Sequence, residues 1–168
     1  IGLPVMVKAT GGGGGRGLRV VRNLQEAPEV IQSARREALN AFGSDKVFLE
    51  KYLDHAKHIE FQIFGATDGR IFNLGERECS IQRRHQKIIE EAGSPALDAT
   101  LRKRMGKVAV EIAQTAKYKG AGTVEFLLQD GEFYFMEMNT RLQVEHTVTE
   151  MALNIDLVKA QILTAQER

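Results

Sequence analysis

The sequence predicts an α+β fold, in which antiparallel hairpins are combined with amphipathic helices. Each of the turn signals Asp68-Gly69 and Asp130-Gly131 lies between two segments in which apolar and polar residues alternate as in strands. This pattern is typical of β-hairpins. Between the hairpins, apolar residues recur at helical spacing from Leu101 to Ala116, behind Asp98, whose side chain can cap a helix. Sheet hairpins and separate helices in one chain are the pattern of the α+β class.

The composition is that of a folded domain with a water-exposed surface. Hydrophobic residues make up 43% of the 168 residues and charged residues 27%, which suits one domain or two small lobes. The net charge of +1 gives no sign of a nucleic acid or an anionic membrane as a partner. No apolar run is long enough to cross a bilayer, and no signal peptide is visible.

Cys79 is the only cysteine, which excludes a disulfide within the chain and fits a reducing compartment. We interpret Cys79 as a small buried apolar residue, and zinc is disfavoured because no cluster of cysteine and histidine has ligand spacing. The chain begins at Ile1 without a methionine, and its last residues have helical character. We therefore expect it to be a piece of a longer protein.

The N-terminal residues predict a strand at 4–8, a glycine loop at 11–17, a returning strand at 18–21 and then a helix. Asn23, with Glu26 three residues later, is a capping-box signal that would open this helix. Its apolar face would consist of Leu24, Ala27, Ile31, Ala34 and Ala38.

The remaining elements follow from the same periodicities. The helix behind Asp98 is predicted to end at Gly120, because glycine commonly follows a last helical turn. Further strands are predicted at residues 47–53, 58–64, 70–74, 122–128 and 133–139, and a last helix at residues 156–164.

Residues 137–145 carry the strongest functional signal. Read with a period of two, they give one row of Glu137, Asn139, Arg141, Gln143 and Glu145. Successive side chains of a strand point to opposite faces, so one face of an extended segment would carry two acids, two amides and a guanidinium. A solvated strand face is the alternative, but such faces are usually rich in Lys, Thr and Ser. The row predicts a site that holds a metal, an anion and a base together.

Glu125 and Glu137 lie on the two strands of the second predicted hairpin. A strict two-residue turn at Asp130-Gly131 would place Glu125 opposite Met136. If Glu125 and Glu137 bind one ion, we therefore expect an odd-length loop or a bulge that pairs them. With Asn139 nearby, these carboxylates suit Mg²⁺ or Mn²⁺, and two exposed acids on a surface hairpin are the alternative.

Two further segments offer donors for an anion. The glycines after Lys8 predict a mobile loop whose backbone N–H groups can approach a phosphate. This loop is neither a Walker A motif nor a Rossmann fingerprint, because a strand follows it, and a plain flexible turn is the alternative. The donors of residues 82–87 indicate, taken alone, a solvated basic loop. Beside an acidic metal site they would supply the counter-charge for phosphate oxygens.

Four motifs together closely resemble the biotin carboxylase family of ATP-grasp ligases. They are KATGGGGGRG at residues 8–17, EKYL at 50–53, QRRHQK at 82–87 and EMNTRLQVEH at 137–146. The glycine loop is shared loosely by many ATP-grasp enzymes, whereas QRRHQK combined with EMNTRLQVEH is much narrower. The match spans essentially the whole chain, in order and without large gaps.

The resemblance implies an ATP-grasp fold with two parts. A lid subdomain with the glycine-rich loop would cover residues 1–53, and an antiparallel-sheet core with the metal and bicarbonate site would cover residues 54–168. Family members are longer, so we expect this chain to lack an N-terminal nucleotide-fold subdomain and the C-terminal end. The family's additional biotin-site arginine would lie beyond Arg168.

The resemblance also implies a role for each motif residue. Glu145 would be the general base, and Arg141 and Lys87 would be the other catalytic residues. The metal would be bound by Glu125 and Glu137, with Asn139 beside them. Nucleotide and bicarbonate would be bound by Lys8, Gly12, Gly13, Gly14, Gly15, Glu50, Lys51, Leu53, His58, Gln82, His85, Gln143 and Val144.

Within the binding set, the resemblance implies distinct sites. Lys8 would hold ATP phosphate under the glycine loop, residues 50–53 would border the adenine, and His58 would lie on the ribose side. The donors of residues 82–87 would face the phosphates. Bicarbonate would be held by Arg141, Gln143, the Val144 backbone N–H and, nearby, Lys87.

The implied reaction is the ATP-dependent carboxylation of biotin on a carrier protein through carboxyphosphate. Bicarbonate would supply the carbon, Mg²⁺ or Mn²⁺ would be the cation, and ADP and phosphate would be released. The expected partners are a biotin carboxyl carrier protein or domain and a carboxyltransferase component, with no nucleic acid and no membrane. The full-length parent is expected to be a homo-oligomer in the cytoplasm, or in the mitochondrion if eukaryotic.

Two alternatives stay open at this point. An ATP-grasp ligase could form carboxyphosphate for a different acceptor, although QRRHQK argues against this. The chain could also be a segment that binds nucleotide without turnover. Acetyl-CoA, propionyl-CoA and pyruvate carboxylases share the half-reaction, so the sequence does not select among them.

Overall fold

The computed structural model describes residues 1–11, 18–83 and 86–166. The elements are mixed helices and antiparallel strands, as the α+β prediction requires. In chain order they are β1 (Val5–Ala9), β2 (Arg19–Val21), α1 (Ala27–Phe42), β3 (Val47–Lys51), β4 (Lys57–Gly65), β5 (Ile71–Arg83), β6 (Gln86–Ala92), α2 (Ala99–Thr115), β7 (Gly120–Gln129), β8 (Glu132–Asn139), α3 (His146–Leu153) and α4 (Leu157–Ala165).

The chain divides into two compact units. The described residues of Ile1–Asp54 and Arg83–Gln86 form the first unit, and those of His55–Gln82 and Lys87–Arg168 form the second. The predicted subdomain boundary after residue 53 stays a prediction. Within the described ranges, no helix is both long and apolar enough to cross a lipid bilayer.

The first unit is a small antiparallel sheet with strand order β2-β1-β3, covered by α1. The predicted return of the chain after the glycines is confirmed, because β2 pairs antiparallel with β1. The two bonds of the predicted capping box are present, because Asn23 Oδ1 accepts from the Glu26 backbone N–H and Glu26 Oε1 accepts from that of Asn23. They close the turn before the helix, whose N-cap residue is Glu26, so the prediction that Asn23 opens the helix is wrong. The helix itself begins only at Ala27. The prediction that Leu24 belongs to its apolar face is wrong, since Leu24 is 77% exposed in the turn before the helix.

The second unit is built on an antiparallel sheet of order β6-β5-β4-β7-β8. Alternation along the central strand β4 gives this sheet two different faces. Ile59, Phe61 and Ile63 are fully buried on one face and form a core with Met105 and Ala109 of α2. The other face carries the alternate residues of β4, which are polar and also buried: His58, Glu60 and Gln62.

α2 begins as predicted, because Asp98 accepts from the Leu101 backbone N–H. The predicted end at Gly120 is wrong. The helix ends at Thr115, Lys117 adopts the left-handed conformation with φ 49°, and Gly120 is the first residue of β7. The left-handed residue that follows the helix is therefore Lys117 and not the predicted Gly120.

A β-bulge sets the register in which β7 and β8 pair. Asp130 and Gly131 have φ values of 54° and 79°, so they form a tight two-residue turn, and Gln129 pairs with Glu132. A register shift then lets Glu125 pair with Glu137. We predicted either an odd-length loop or a bulge, and the structure has the bulge.

Several elements differ from the predictions. The prediction that residues 137–145 form one extended segment is wrong beyond Asn139, where β8 ends and the chain turns towards α3. β6 and α3 were not predicted, and β5 extends to Arg83 rather than ending at residue 74. The last helix is confirmed, and Asp156 caps it by accepting from the Lys159 backbone N–H.

Candidate active site

The polar face of the second sheet carries a row of charged residues across four strands. Arg77 of β5 pairs with Glu60 of β4, Glu60 pairs with Glu125 of β7, and Glu125 pairs with Glu137 of β8. Side chains of directly opposed residues lie on the same face of a sheet. The antiparallel register therefore brings one guanidinium and three carboxylates to a single level of the sheet.

Glu125 is the carboxylate of this row that accepts the most hydrogen bonds. Its Oε1 accepts from Lys87 Nζ at 3.0 Å, Asn139 Nδ2 at 2.8 Å and Gln143 Nε2 at 3.0 Å. Its Oε2 lies 2.7 Å from His58 Nε2. Because a carboxylate only accepts, each of these atoms is a donor towards Glu125. Four sequence-predicted site residues thus converge on a fifth.

Lys87 links three carboxylates through one ammonium group. Its Nζ lies 2.5 Å from Glu60 Oε2, 3.0 Å from Glu125 Oε1 and 2.7 Å from Glu145 Oε1. Glu60 is also paired with Arg77 Nε at 2.5 Å. We call Glu60, Arg77, Lys87, Glu125 and Glu145 the charged cluster. Three carboxylates and two cations leave it one negative charge, which favours a further cation nearby.

The cluster shifts the ionisation of its members. Burial alone would raise the pKa of the Glu125 carboxyl, but the His58 hydrogen bond and the Lys87 charge outweigh it and lower that pKa to about 2. Burial would lower the pKa of Lys87, but Glu60 and Glu125 raise it above its usual range. Burial would likewise raise the pKa of Glu145, and the Lys87 hydrogen bond makes the net shift downward. Glu145 is therefore held as a carboxylate, able to accept a proton.

Sequence reasoning missed Glu60 and Arg77, both of which are fully buried. The signal for Glu60 was present, since residues 58–64 alternate polar and apolar side chains as clearly as residues 137–145 do. The same row argument applied there would have selected His58, Glu60 and Gln62 together. Arg77 lies in a run of four buried residues, from Glu76 to Cys79, in which no such alternation exists.

His58, Gln82 and Gln143 complete the surroundings of Glu125. Gln82 Nε2 donates to His58 Nδ1 at 2.6 Å and to the Cys79 carbonyl at 2.7 Å, which orients the imidazole towards Glu125. Gln143 is buried, and its Oε1 has no hydrogen-bond partner within the described part of the chain. An unpaired buried acceptor costs free energy unless a donor or a cation reaches it. A ligand that donates a hydrogen bond to Gln143 Oε1, or a cation that binds this oxygen, would therefore be favoured at the site.

The remaining predicted residues near β8 are less enclosed. Glu137 and Arg141 are exposed, and an Arg141 amino group donates to the Leu142 carbonyl at 3.3 Å. Val144 is 90% exposed. Glu145 is the residue before α3, and its side chain forms no capping hydrogen bond with that helix. Its carboxylate accepts a hydrogen bond from Lys87 Nζ, which lies on a different element and directs it towards the charged cluster.

In the first unit, the predicted nucleotide residues lie on β1 and around β3. Lys8 Nζ pairs with Glu50 Oε2 at 2.5 Å, and Lys51 Nζ donates to the Leu3 carbonyl at 3.0 Å. Leu53 follows β3 and is half-buried. Gly12, Gly13, Gly14, Gly15 and His85 lie outside the described residues.

The donor set of the cluster fits a divalent cation. One ligand atom each from His58, Glu60 and Glu125 lies within 4.8 Å of the others, and Glu137 is the direct cross-strand neighbour of Glu125. Carboxylate and amide oxygens are the ligands that Mg²⁺ and Mn²⁺ prefer. The buried Gln143 oxygen without a partner is a further atom that a bound cation or its water could satisfy.

Comparison with known proteins supports the resemblance. The chain is 57% identical over 167 residues to a biotin carboxylase of Nostoc, covering 99% of the chain and 37% of that protein. It is 51% identical over 164 residues to a pyruvate carboxylase of Staphylococcus aureus, covering 98% of the chain and 14% of that protein. The chain thus spans well under two thirds of the length of the curated relatives that it matches.

Solved structures confirm the ATP-grasp fold seen in biotin carboxylases. A Campylobacter jejuni biotin carboxylase in complex with an ATP ligand superimposes with a TM-score of 0.96 at 47% identity, covering 99% of this chain and 38% of that one. The biotin carboxylase domain dimer of Hydrogenobacter thermophilus 2-oxoglutarate carboxylase, in complex with MgADP, ADP and bicarbonate, gives 0.94 at 48% identity. That comparison covers 100% of this chain and 37% of the other.

The family assignment rests on a match along the full sequence. The family model described as "Carbamoyl-phosphate synthase L chain, ATP binding domain" matches residues 1–168. The chain therefore belongs to the carbamoyl-phosphate synthase L chain ATP-binding domain family, within which it is similar to biotin carboxylases.

Proposed function

We propose that this chain forms the part of a biotin carboxylase that binds ATP, a divalent cation and bicarbonate. One observation carries the proposal: Lys87 Nζ lies 3.0 Å from Glu125 Oε1 and 2.7 Å from Glu145 Oε1. The proposed cation ligand and the proposed base thus share one ammonium group. The likeness to a carboxylase domain solved with MgADP and bicarbonate gives independent support.

The first step would be the attack of bicarbonate on the γ-phosphorus of ATP. Bicarbonate is a poor nucleophile, so Glu145 would accept its O–H proton while a bicarbonate oxygen bonds to the γ-phosphorus. The bond from that phosphorus to the bridging β–γ oxygen would break, and ADP would leave with its electron pair. The product is carboxyphosphate. The lowered pKa of Glu145 keeps this base ionised before bicarbonate arrives.

Bicarbonate would be held by donors around the base. Lys87, Arg141, Gln143 and the Val144 backbone N–H would surround its oxygens, and they provide cationic and neutral donors for a planar anion. Fixing the anion in line with the γ-phosphorus supplies much of the rate, because the reaction then needs no further loss of orientational freedom. The exposed Arg141 would bend towards the anion on binding.

Glu125 and Glu137 would hold the divalent cation, with Asn139 beside them. The cation would neutralise the charge that spreads over the transferring phosphoryl oxygens. Mn²⁺ is expected to replace Mg²⁺, since both prefer hard oxygen ligands. Lys8 and the glycine loop are proposed to bind the ATP phosphates, His85 to face them, and residues 50–53 to border the adenine.

In the second step, the C–O bond of carboxyphosphate would break to give CO₂ and phosphate beside biotin. The phosphate would accept the proton of the ureido N–H, and that nitrogen would bond to the carbon of CO₂. The biotin would be attached to a carrier protein or domain, and a carboxyltransferase component would consume the carboxybiotin. Named relatives include propionyl-CoA, methylcrotonoyl-CoA and pyruvate carboxylases. A homo-oligomeric parent and a cytoplasmic location stay predictions, and some relatives are named chloroplastic or mitochondrial.

The test is Glu145→Gln in the complete gene product. This change keeps the shape of the side chain and removes its ability to take a proton, so bicarbonate-dependent ATP cleavage should fall at least about a hundredfold. Nucleotide affinity, measured by calorimetry, should stay nearly unchanged. Glu132→Gln, on the exposed start of β8, is the matched control and should keep full activity. A collapse of nucleotide affinity in Glu145→Gln would make Glu145 a structural or metal-binding residue instead.

A further inference from the structure

A fully buried guanidinium lies behind the proposed catalytic groups. Arg77 is 0% exposed, and its Nε donates to Glu60 Oε1 at 2.5 Å. Its Nη1 donates to Gln62 Oε1 at 2.7 Å and to Thr149 Oγ1 at 2.8 Å, and its Nη2 to Thr123 Oγ1 at 3.4 Å. These four partners lie on the polar face of the sheet or on α3. The proposed reaction itself gives Arg77 no task.

The first connection runs through Glu60 to Lys87. Glu60 is fully buried, and it gives Oε1 to Arg77 and Oε2 to Lys87. With Arg77 in place, the charge of Glu60 is shared between two cations, Arg77 and Lys87. Without Arg77, the full charge of a desolvated carboxylate would act on Lys87 and draw its ammonium away from Glu145. Arg77 thus sets how strongly Lys87 is shared with Glu145.

The second connection runs through Thr149 to the backbone of Glu145. Glu145 immediately precedes α3, and Thr149 lies one helical turn after it on the same helix. Thr149 is buried, with its hydroxyl on Arg77 Nη1. Because Glu145 makes no side-chain cap of its own, the position of its carboxylate depends on where the first turn of α3 is held. Arg77 holds that turn against the sheet.

We propose that Arg77 is a positioning residue for the reaction. It fixes Glu145 from two directions, through Glu60 and Lys87 on one side and through Thr149 and α3 on the other. The contact between Lys87 and Glu145 is then set before bicarbonate binds beside the two groups. This inference rests on the proposed function, because it concerns the same bicarbonate site.

A purely structural role would give a different pattern of effects. A buried guanidinium whose only task is to neutralise Glu60 would, when removed, lower stability without changing one substrate more than the other. A positioning role predicts a larger KM for bicarbonate with little change in the KM for ATP. The chain offers a matched control, because Arg102 Nε pairs with the buried Glu76 at 2.6 Å and Nη2 with the Ser94 carbonyl at 3.1 Å, outside the charged cluster.

The experiment compares Thr149→Val, Arg77→Lys, Arg77→Met and Arg102→Met in the complete gene product. Initial rates of ATP cleavage are measured against bicarbonate and against ATP, and thermal unfolding is recorded for each variant. Thr149→Val keeps the volume and every charge but loses one acceptor, so the KM for bicarbonate should rise roughly three- to tenfold. The KM for ATP should change by less than about twofold.

The Arg77 variants should grade in the same direction. Arg77→Lys keeps the charge on Glu60 but cannot reach all four partners, so its KM for bicarbonate should lie between those of the wild type and Arg77→Met. Arg102→Met should lower the unfolding temperature and leave both KM values unchanged. If Arg77→Met does not fold, Thr149→Val and Arg77→Lys still decide the question.

The outcomes separate the two levels of inference. Unchanged bicarbonate KM values in Thr149→Val and Arg77→Lys, in an active enzyme, would overturn the positioning role and leave the proposed function standing. The same shift in Arg102→Met would also overturn it, because the effect would then be one of stability. A wild-type protein without bicarbonate-dependent ATP cleavage would overturn the proposed function and this inference with it.

Discussion

At the scale of single residues, the central feature is the ammonium group of Lys87, which acts as the counter-ion for three carboxylates. Its ammonium lies on Glu60, Glu125 and Glu145, and both oxygens of Glu125 are engaged by donors of the chain. A divalent cation that binds Glu125 at Oε1 would therefore compete with Lys87 for that oxygen, and one that binds at Oε2 would compete with His58. Cation binding would in turn free Lys87 to meet the bicarbonate anion.

This competition predicts the effect of Lys87→Met on metal affinity. Without the ammonium, three carboxylates attract a divalent cation more strongly, so Mn²⁺ should bind about tenfold or more tightly in the absence of nucleotide. Free Mn²⁺ in a titration, followed by electron paramagnetic resonance, measures the affinity without any turnover. Lys103→Met, on the exposed side of α2, is the control. Equal Mn²⁺ affinity in wild type and Lys87→Met would show that Lys87 does not share the cation's ligands.

Glu125 also predicts how stability depends on pH. Its pKa falls from 4.5 to about 2 on folding, so its contribution is present above pH 4.5 and is lost as the pH falls through the folded value. Between pH 7 and pH 3 the wild type should lose about 2 kcal/mol that Glu125→Gln does not lose. Urea unfolding of both proteins at the two pH values measures this difference. Parallel losses would mean that Glu125 is not held as a carboxylate by His58 and Lys87.

At the scale of elements, the sheet of the second unit separates stability from chemistry. On β4, one face packs into the core against α2 with Ile59, Phe61 and Ile63. The opposite, charged face carries His58, Glu60 and Gln62. A change on α2 should therefore act on the folding equilibrium and reach the chemistry only through the fraction of folded molecules.

The cap of α2 tests this separation. Asp98→Ala removes the acceptor of the Leu101 backbone N–H and should lower the free energy of unfolding by about 1 kcal/mol. Asp98→Asn keeps an acceptor and should cost much less. Both variants should keep the wild-type KM for bicarbonate, since Asp98 lies on the helix that covers the opposite face. Urea unfolding and steady-state rates give the two readouts, and a raised bicarbonate KM in Asp98→Ala would contradict the separation.

The elements that could be predicted from the sequence are those specified by local signals. The reciprocal Asn23–Glu26 bonds, the Asp98 cap and the Asp130-Gly131 turn are all found, because each depends on residues a few positions apart. Only the start of α1 is misplaced, since the helix begins at Ala27 and not after Asn23. Residues 140–145 alternate like a strand but leave the sheet after Asn139, since alternation indicates a strand only where a partner strand exists. α3 begins only at His146, the last residue of the motif at 137–146, so the alternation gave no sign of this helix.

At the scale of the whole chain, the site depends on contacts between residues far apart in sequence. The row from Arg77 through Glu60 and Glu125 to Glu137 exists only because four strands are in register, one of them by means of a bulge. The predicted hairpin and the motifs selected Glu125, Glu137 and Lys87 from the sequence. Arg77 carries no local pattern, and the role proposed for it follows from four buried partners. The sequence therefore selected the residues proposed to react, and the fold was needed to find the residue proposed to position them.

The most direct test of the account follows the oxygen atoms of bicarbonate. The complete gene product is supplied with ATP and ¹⁸O-labelled bicarbonate in unlabelled water, and the phosphate released within the first minutes is analysed by mass spectrometry. Attack of bicarbonate on the γ-phosphorus predicts phosphate that carries one labelled oxygen per ATP cleaved. Phosphate whose new oxygen comes only from water would contradict carboxyphosphate formation and, with it, the role given to Glu145 and Lys87.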